Sequence, residues 1–226
     1  MKTIAIISQK GGAGKSTLAV CLAVEAQRQG QDTLLIDADN QANVFKWSQR
    51  RDSELPVVLS AQTVMVPQHL AMAQANSAAY TIIDTPGKAD RESLECAKHA
   101  DLVVIPTRAN LFDIESISTT IDMVNTLRKH HLVVVNALHP NSMRKFHDLK
   151  TALETEYRAA VFPSYISQRA AYADCIFDGT SPQEHEGEDG GKASQEIKLL
   201  YKHIANLLAN NQFSKLKNSP ASGLTL

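Results

Sequence analysis

The residues Gln9-Lys10-Gly11-Gly12-Ala13-Gly14-Lys15-Ser16-Thr17 follow directly on the apolar run at 4–7. This is the pattern of a strand feeding a glycine-rich turn that opens a helix. Each residue type has a use toward an anion. Gly11, Gly12 and Gly14, with Ala13 between them, admit backbone conformations closed to residues with a Cβ, so successive N–H groups can turn inward on a phosphate. A helix opening near Lys15 adds unsatisfied N–H groups and a positive dipole end. The Lys15 ammonium supplies a point charge for β- and γ-phosphates, the Ser16 hydroxyl is placed to ligate Mg2+, and Thr17 to touch the α-phosphate. The general phosphate-loop pattern asks for glycine where this chain carries Gln9; Lys10 precedes the double glycine instead. Lys10 reaches its own phosphates less easily than Lys15 does, which points it toward a nucleotide held by a second subunit.

Carboxylates end two further apolar segments. Residues 32–41 read as a buried strand closing on Asp37 and Asp39, which alternation sends to the same side. Residues 80–87, Tyr80-Thr81-Ile82-Ile83-Asp84-Thr85-Pro86-Gly87, run an apolar strand into Asp84 and a Pro-Gly turn. Asp84 suits Mg2+ held through water, because that ion keeps much of its hydration shell. Gly87 is placed to offer its N–H to a γ-phosphate.

Such groups converge only if the strands lie side by side with their carboxyl ends together. Short apolar runs without alternation recur at 57–60, 102–106, 132–136 and 160–163, as expected for parallel strands covered on both faces. Between them, Ile114, Ile117, Ile121 and Val124 keep one apolar helical face, and Phe146, Leu149 and Leu153 another. A last long helix turns Ile197, Leu200, Ile204 and Leu207 inward, with Lys198 and Lys202 outward. The spacing predicts an α/β fold: a doubly wound, mostly parallel sheet with helices on both faces, and the ligand at the strands' carboxyl ends. Residues 1–210 are expected to form a single domain, with an acidic, glycine-rich loop at 181–191 and a polar tail at 211–226.

The loop resembles the deviant Walker A of the ParA/MinD group of dimerising P-loop ATPases, and the likeness extends over roughly residues 1–208. It implies ATP and Mg2+ as cofactors, Lys10 crossing the interface of an ATP-bound homodimer, Asp39 positioning the attacking water, and Asp37 supporting the metal shell. Residues 37–41 are similar to the family's D-x-D-P-Q segment, with Asn40 where proline is usual. The strand end Val104-Ile105-Pro106-Thr107 resembles the one lining the nucleotide edge. Asn136 occupies the position of an asparagine that contacts the base. Residues 164–172, Ser164-Tyr165-Ile166-Ser167-Gln168-Arg169-Ala170-Ala171-Tyr172, resemble the I-x-x-R-x-A-x-x-x-A segment of small ParA proteins. Arg108 stands where many relatives carry another residue. The chain resembles the small type that lacks an N-terminal DNA-reading domain. That type implies a cytoplasmic, nucleoid-associated partition ATPase, slow by itself, with a ParB-like centromere-binding protein stimulating hydrolysis.

Composition narrows the alternatives. The 226 residues suit one α/β domain, and a net charge of −1 gives no global attraction to nucleic acid. Non-specific DNA binding must then come from a local patch doubled by dimerisation, for which Arg169, Lys198 and Lys202 are the candidates. Cys21, Cys96 and Cys175 are far apart without C-x-x-C spacing, so neither zinc nor a disulfide framework is indicated. Membrane positioning in the manner of MinD calls for a C-terminal amphipathic helix. Residues 214–220 are too short and are broken by Pro220, so no stable membrane association is expected. An electron-donating relative of the nitrogenase-reductase type calls for paired cluster cysteines, and Cys96 has no matching second position.

Overall fold

The apolar runs become seven strands of one sheet: β1 (Lys2–Ile6), β2 (Thr33–Asp37), β3 (Val57–Ser60), β4 (Tyr80–Asp84), β5 (Leu102–Arg108), β6 (His130–Leu138) and β7 (Val161–Ser167). The computed structural model describes residues 1–87, 91–185 and 191–210, apart from the side chains at 111, 112, 114 and 115. The order is β3-β2-β4-β1-β5-β6-β7, and every strand pairing in it is parallel. Parallel neighbours need long crossovers, which the helices supply. These are α1 (Lys15–Arg28), α2 (Asn43–Ser48), α3 (Val66–Ala75), α4 (Arg91–Lys98), α5 (Leu111–Thr126), α6 (Met143–Glu156), α7 (Ala170–Phe177), α8 (Pro182–His185) and α9 (Lys192–Asn210).

Strand alternation divides the core into two layers. Ile4 and Ile6 of β1 face Leu18 and Leu22 of α1, Trp47 of α2, and Ile197, Leu200 and Ile204 of α9. Ala5 and Ile7 face the other way, onto Leu70 of α3, Cys96 of α4, Ile117 and Ile121 of α5, and Phe146 and Leu153 of α6. β2 and β4 are buried along their whole length, as strands covered on both faces must be. Because β1 has β4 on one side and β5 on the other, the chain winds away from it in both directions. The turn after β1 therefore opens into the crevice where such sheets take their ligands.

Two expectations change at the sheet margin. The run expected at 160–163 continues to Ser167 as β7. Pro163 removes a backbone donor, but β7 is an edge strand, where that donor has no ladder partner to lose. Within the loop expected at 181–191, Pro182–His185 is helical, and residues 186–190 lie outside the described residues. So do the tail at 211–226 and the side chain of Ile114; Ile117, Ile121 and Val124 are buried as the spacing required.

Candidate nucleotide-binding site

The loop between β1 and α1 is shaped by its glycines. Gly12 and Gly14 sit at φ +73° and +93°, and Gly14 is the left-handed cap that starts α1, its carbonyl accepting from Leu18 N–H at 3.0 Å. Gly14 is constrained a second way. A Cβ there would collide with Asn136 Nδ2. Asn136 comes that close because its amide donates to the Ala13 carbonyl at 2.7 Å. The strand-end asparagine thus braces the phosphate loop from β6, a contact 123 residues away in sequence.

The two lysines differ in setting. Lys15 is 7% exposed, whereas Lys10 is open to solvent with its N–H on Ser8 Oγ at 3.4 Å. Burial pushes the Lys15 ammonium below its usual pKa, while the charges of Asp84 and Asp39 favour its protonated form. Among the described residues Lys15 makes no ion pair. A buried cation at the mouth of an anion cradle is well placed for phosphate oxygens. Ser16 and Thr17 are half-buried on the first turn of α1, whose N-terminus faces the same space.

The carboxylates line the adjoining strand ends, where Asp37 of β2 pairs in register with Asp84 of β4. Asp84 is fully buried and, among the described residues, neither carboxylate oxygen meets a hydrogen-bond partner. Burial pushes its pKa up to about 7, with Ser16 and Lys15 lowering it and Asp37 and Asp39 raising it. Asp37 is equally buried but engaged: Oδ1 accepts from Asp39 N–H at 3.1 Å and Oδ2 from Phe45 N–H at 2.8 Å, which caps α2. Burial also raises the Asp37 pKa, against those N–H donors. Asp39 is half-exposed, its Oδ1 taking Gln41 N–H at 2.9 Å and its carbonyl taking Ala42 N–H at 2.8 Å. That Asx-type turn spans Asn40. Thr85 donates to the Ile6 carbonyl at 2.7 Å, fastening the end of β4 to that of β1.

These residues fit Mg2+. The ion takes hard oxygen donors and keeps several waters. An orphaned buried carboxylate beside a serine hydroxyl at a phosphate cradle is such a partial set. Among the described residues no group of three or more His, Cys, Asp or Glu could hold a metal alone, so phosphates and water must complete the shell.

The proposed DNA contacts fall into two settings. Lys198 and Lys202 are exposed on α9, as read from the sequence. Arg169 instead pairs with Glu196 at 2.7 Å. Glu196 also accepts from Ser167 Oγ at 2.7 Å, Ser167 N–H at 2.9 Å and Tyr172 OH at 3.1 Å. The Arg169 charge is therefore largely offset within the fold, which the sequence did not reveal because Glu196 lies on another helix. Tyr165 and Ile166 of the same segment belong to β7.

Comparison with known proteins places this geometry. The family model described as the CobQ/CobB/MinD/ParA nucleotide binding domain matches residues 4–182. The maintenance of carboxysome distribution protein A of Halothiobacillus neapolitanus is 26% identical over 210 residues, covering 89% of this chain and 95% of that protein. Protein ParA of Rhizobium radiobacter is 30% identical over 116 residues, about half of each chain (50% and 51%). Among solved structures, the cell division ATPase MinD of Pyrococcus furiosus superposes with a TM-score of 0.74 at 17% identity, covering 91% of this chain and 99% of that one.

Proposed function

The chain belongs to the CobQ/CobB/MinD/ParA family of nucleotide-binding domains, and from that premise we propose that it is an ATPase that positions a cargo on DNA. The observation that carries this reading is the disposition of the two lysines. Lys15 is buried in the cradle facing Asp84 and Asp39, and Lys10 projects to solvent from the same loop. ATP bound between Lys15 and the loop N–H groups leaves its outer phosphates open to Lys10 of a second copy. Dimerisation then depends on the nucleotide. Asp39, on its turn at the end of β2, orients the attacking water. Lys15, and Lys10 in trans, offset charge on the phosphoryl oxygens as it develops. Ser16 and Asp84 would hold Mg2+, with Asp37 supporting its shell, and the ion would supply further charge stabilisation there.

DNA partition is the first reading of the cargo, with a ParB-like centromere-binding protein as the stimulating partner. The ParA of Rhizobium radiobacter supports it, as does the likeness of residues 164–172 to small ParA proteins. A second reading, positioning of a protein assembly, is favoured by the similarity to a carboxysome distribution protein over 89% of the chain. Both readings use DNA as the track, on which exposed Lys198 and Lys202 would meet phosphates. Binding of non-specific duplex DNA to wild-type protein and to the Lys198→Ala/Lys202→Ala double variant, across a salt series and with ATP or ADP, tests the track. DNA binding is expected only with ATP. The double variant is expected to bind all sequences more weakly, with a salt slope lower by roughly 2 to 4 for the two or four lysines of a dimer. Absence of ATP-dependent DNA binding by the wild-type chain would remove the DNA track from the account.

A further inference from the structure

The phosphate loop carries more positive charge at its mouth than the two lysines of its motif. Arg108 closes β5, the strand beside β1, and pairs in register with Asn136 of β6. The two residues bracket the loop from neighbouring strand ends. Asn136 holds the Ala13 carbonyl, and the Arg108 guanidinium lies over Gly12, where a Cβ would stand 3.3 Å from Nη2. That approach is open because position 12 is glycine at φ +73°.

Arg108 is exposed and, among the described residues, no ion pair or side-chain hydrogen bond holds its guanidinium. Arg51, by contrast, spends its guanidinium on Glu184 and two backbone carbonyls, and Arg169 spends its own on Glu196. A permanently charged fork over Gly12, in the same loop that carries Lys10 and Lys15, adds like charge to like. A polyanion in the loop reverses the sign of that interaction. The guanidinium is planar and can meet two phosphate oxygens at once, which an ammonium cannot.

We propose that Arg108 binds nucleotide in its own subunit, donating guanidinium N–H groups to the phosphate chain of a nucleoside di- or triphosphate, a role that rests on the reading of this loop as a nucleotide site. The contact comes from a strand end outside the loop. Its removal therefore costs affinity and leaves the cradle and the Ala13–Asn136 brace standing. Because Arg108 faces solvent, its contribution is screened by salt more than that of buried Lys15.

Equilibrium titration of ADP and of a non-hydrolysable ATP analogue, each with Mg2+, into wild-type, Arg108→Ala, Arg108→Lys and Lys15→Ala proteins tests the assignment. Wild type is expected to bind both ligands. Arg108→Ala is expected to raise both dissociation constants on the order of tenfold, the loss of one charge-assisted contact. Its affinity should also depend less on salt, and its nucleotide-free melting should match wild type. Arg108→Lys is expected to recover part of the loss, restoring charge without the fork. Unchanged affinities in Arg108→Ala overturn the assignment. So does an effect confined to ATP-dependent dimerisation with ADP affinity intact, which would move Arg108 to the partner's nucleotide. Binding by wild type but not by Lys15→Ala keeps the site reading alive in either case. A wild-type chain that binds neither ligand overturns the site reading and this assignment together.

Discussion

Lys15 and Asp39 make different demands on the same nucleotide, and their variants separate them. Lys15→Ala removes the buried phosphate charge, so ATP affinity is expected to fall more than tenfold, at least ~1.4 kcal/mol. Near-normal affinity in an equilibrium titration would take the phosphate-binding role away from this loop. Asp39→Ala is expected to keep ATP bound and lose turnover, because its carboxylate is fixed by Gln41 N–H on a half-exposed turn rather than inside the cradle. Single-turnover measurement of phosphate release checks this, and a parent rate would hand the water to another group. Most of the residue-scale chemistry was legible because it is local: three glycines, two lysines and a Ser-Thr pair lie within nine positions. What was not legible is what folds onto them. The resemblance gives Asn136 as a base contact, and the structure adds that its amide donates to the Ala13 carbonyl. No spacing rule reports a bond between a strand and a loop so far apart in sequence. Asp37 was assigned to the metal shell, and the structure adds that both its oxygens already accept backbone N–H groups, one of them at the start of α2.

Helix α2 ties the turn bearing Asp39 to the far end of the chain. Trp47 is fully buried and donates Nε1–H to the Thr180 carbonyl at 2.9 Å. Arg51, its guanidinium 4.5 Å from the Trp47 ring, donates to both Glu184 oxygens and to the Gly179 carbonyl. This pairing explains why a segment that reads as an acidic, glycine-rich loop is helical over Pro182–His185: Arg51 meets Glu184 there, while Ser181 N–H also donates to Glu184 at 3.0 Å. The helix is specified from 133 residues upstream, which local composition cannot show. Burial opposes ionisation of Glu184, but the Arg51 and Ser181 contacts outweigh it and hold its pKa below the usual 4.5. A carboxyl depressed on folding stabilises the native state above its unfolded pKa, and that contribution fades as pH falls through the lower folded value. Glu184→Gln is therefore expected to cost about 2 kcal/mol at neutral pH and less as pH drops below 4.5. Denaturant melts at several pH values measure it. A penalty that grew with acidity would contradict the assigned pairing.

At the scale of the whole molecule, the doubly wound parallel architecture was legible, though not the strand order, because parallel strands covered on both faces print unbroken apolar runs. The edge was less so: Pro163 reads as a strand end, but the strand carries on where no neighbour needs its donor. One carboxyl edge of this sheet gathers Lys15, Asp39, Asp84, Arg108 and Asn136, from the ends of five strands, around a single loop. Lys10 is the lysine of that loop left facing outward, and the central claim is that a second subunit's nucleotide is what it meets. Sedimentation velocity of wild-type and Lys10→Ala proteins with Mg2+ and ATP, with ADP, and without nucleotide tests that claim most directly. The account expects wild type to double its mass with ATP alone, and Lys10→Ala to stay monomeric with ATP while still binding ADP. A mass independent of nucleotide, or a Lys10→Ala variant that dimerises on ATP as wild type does, would contradict it.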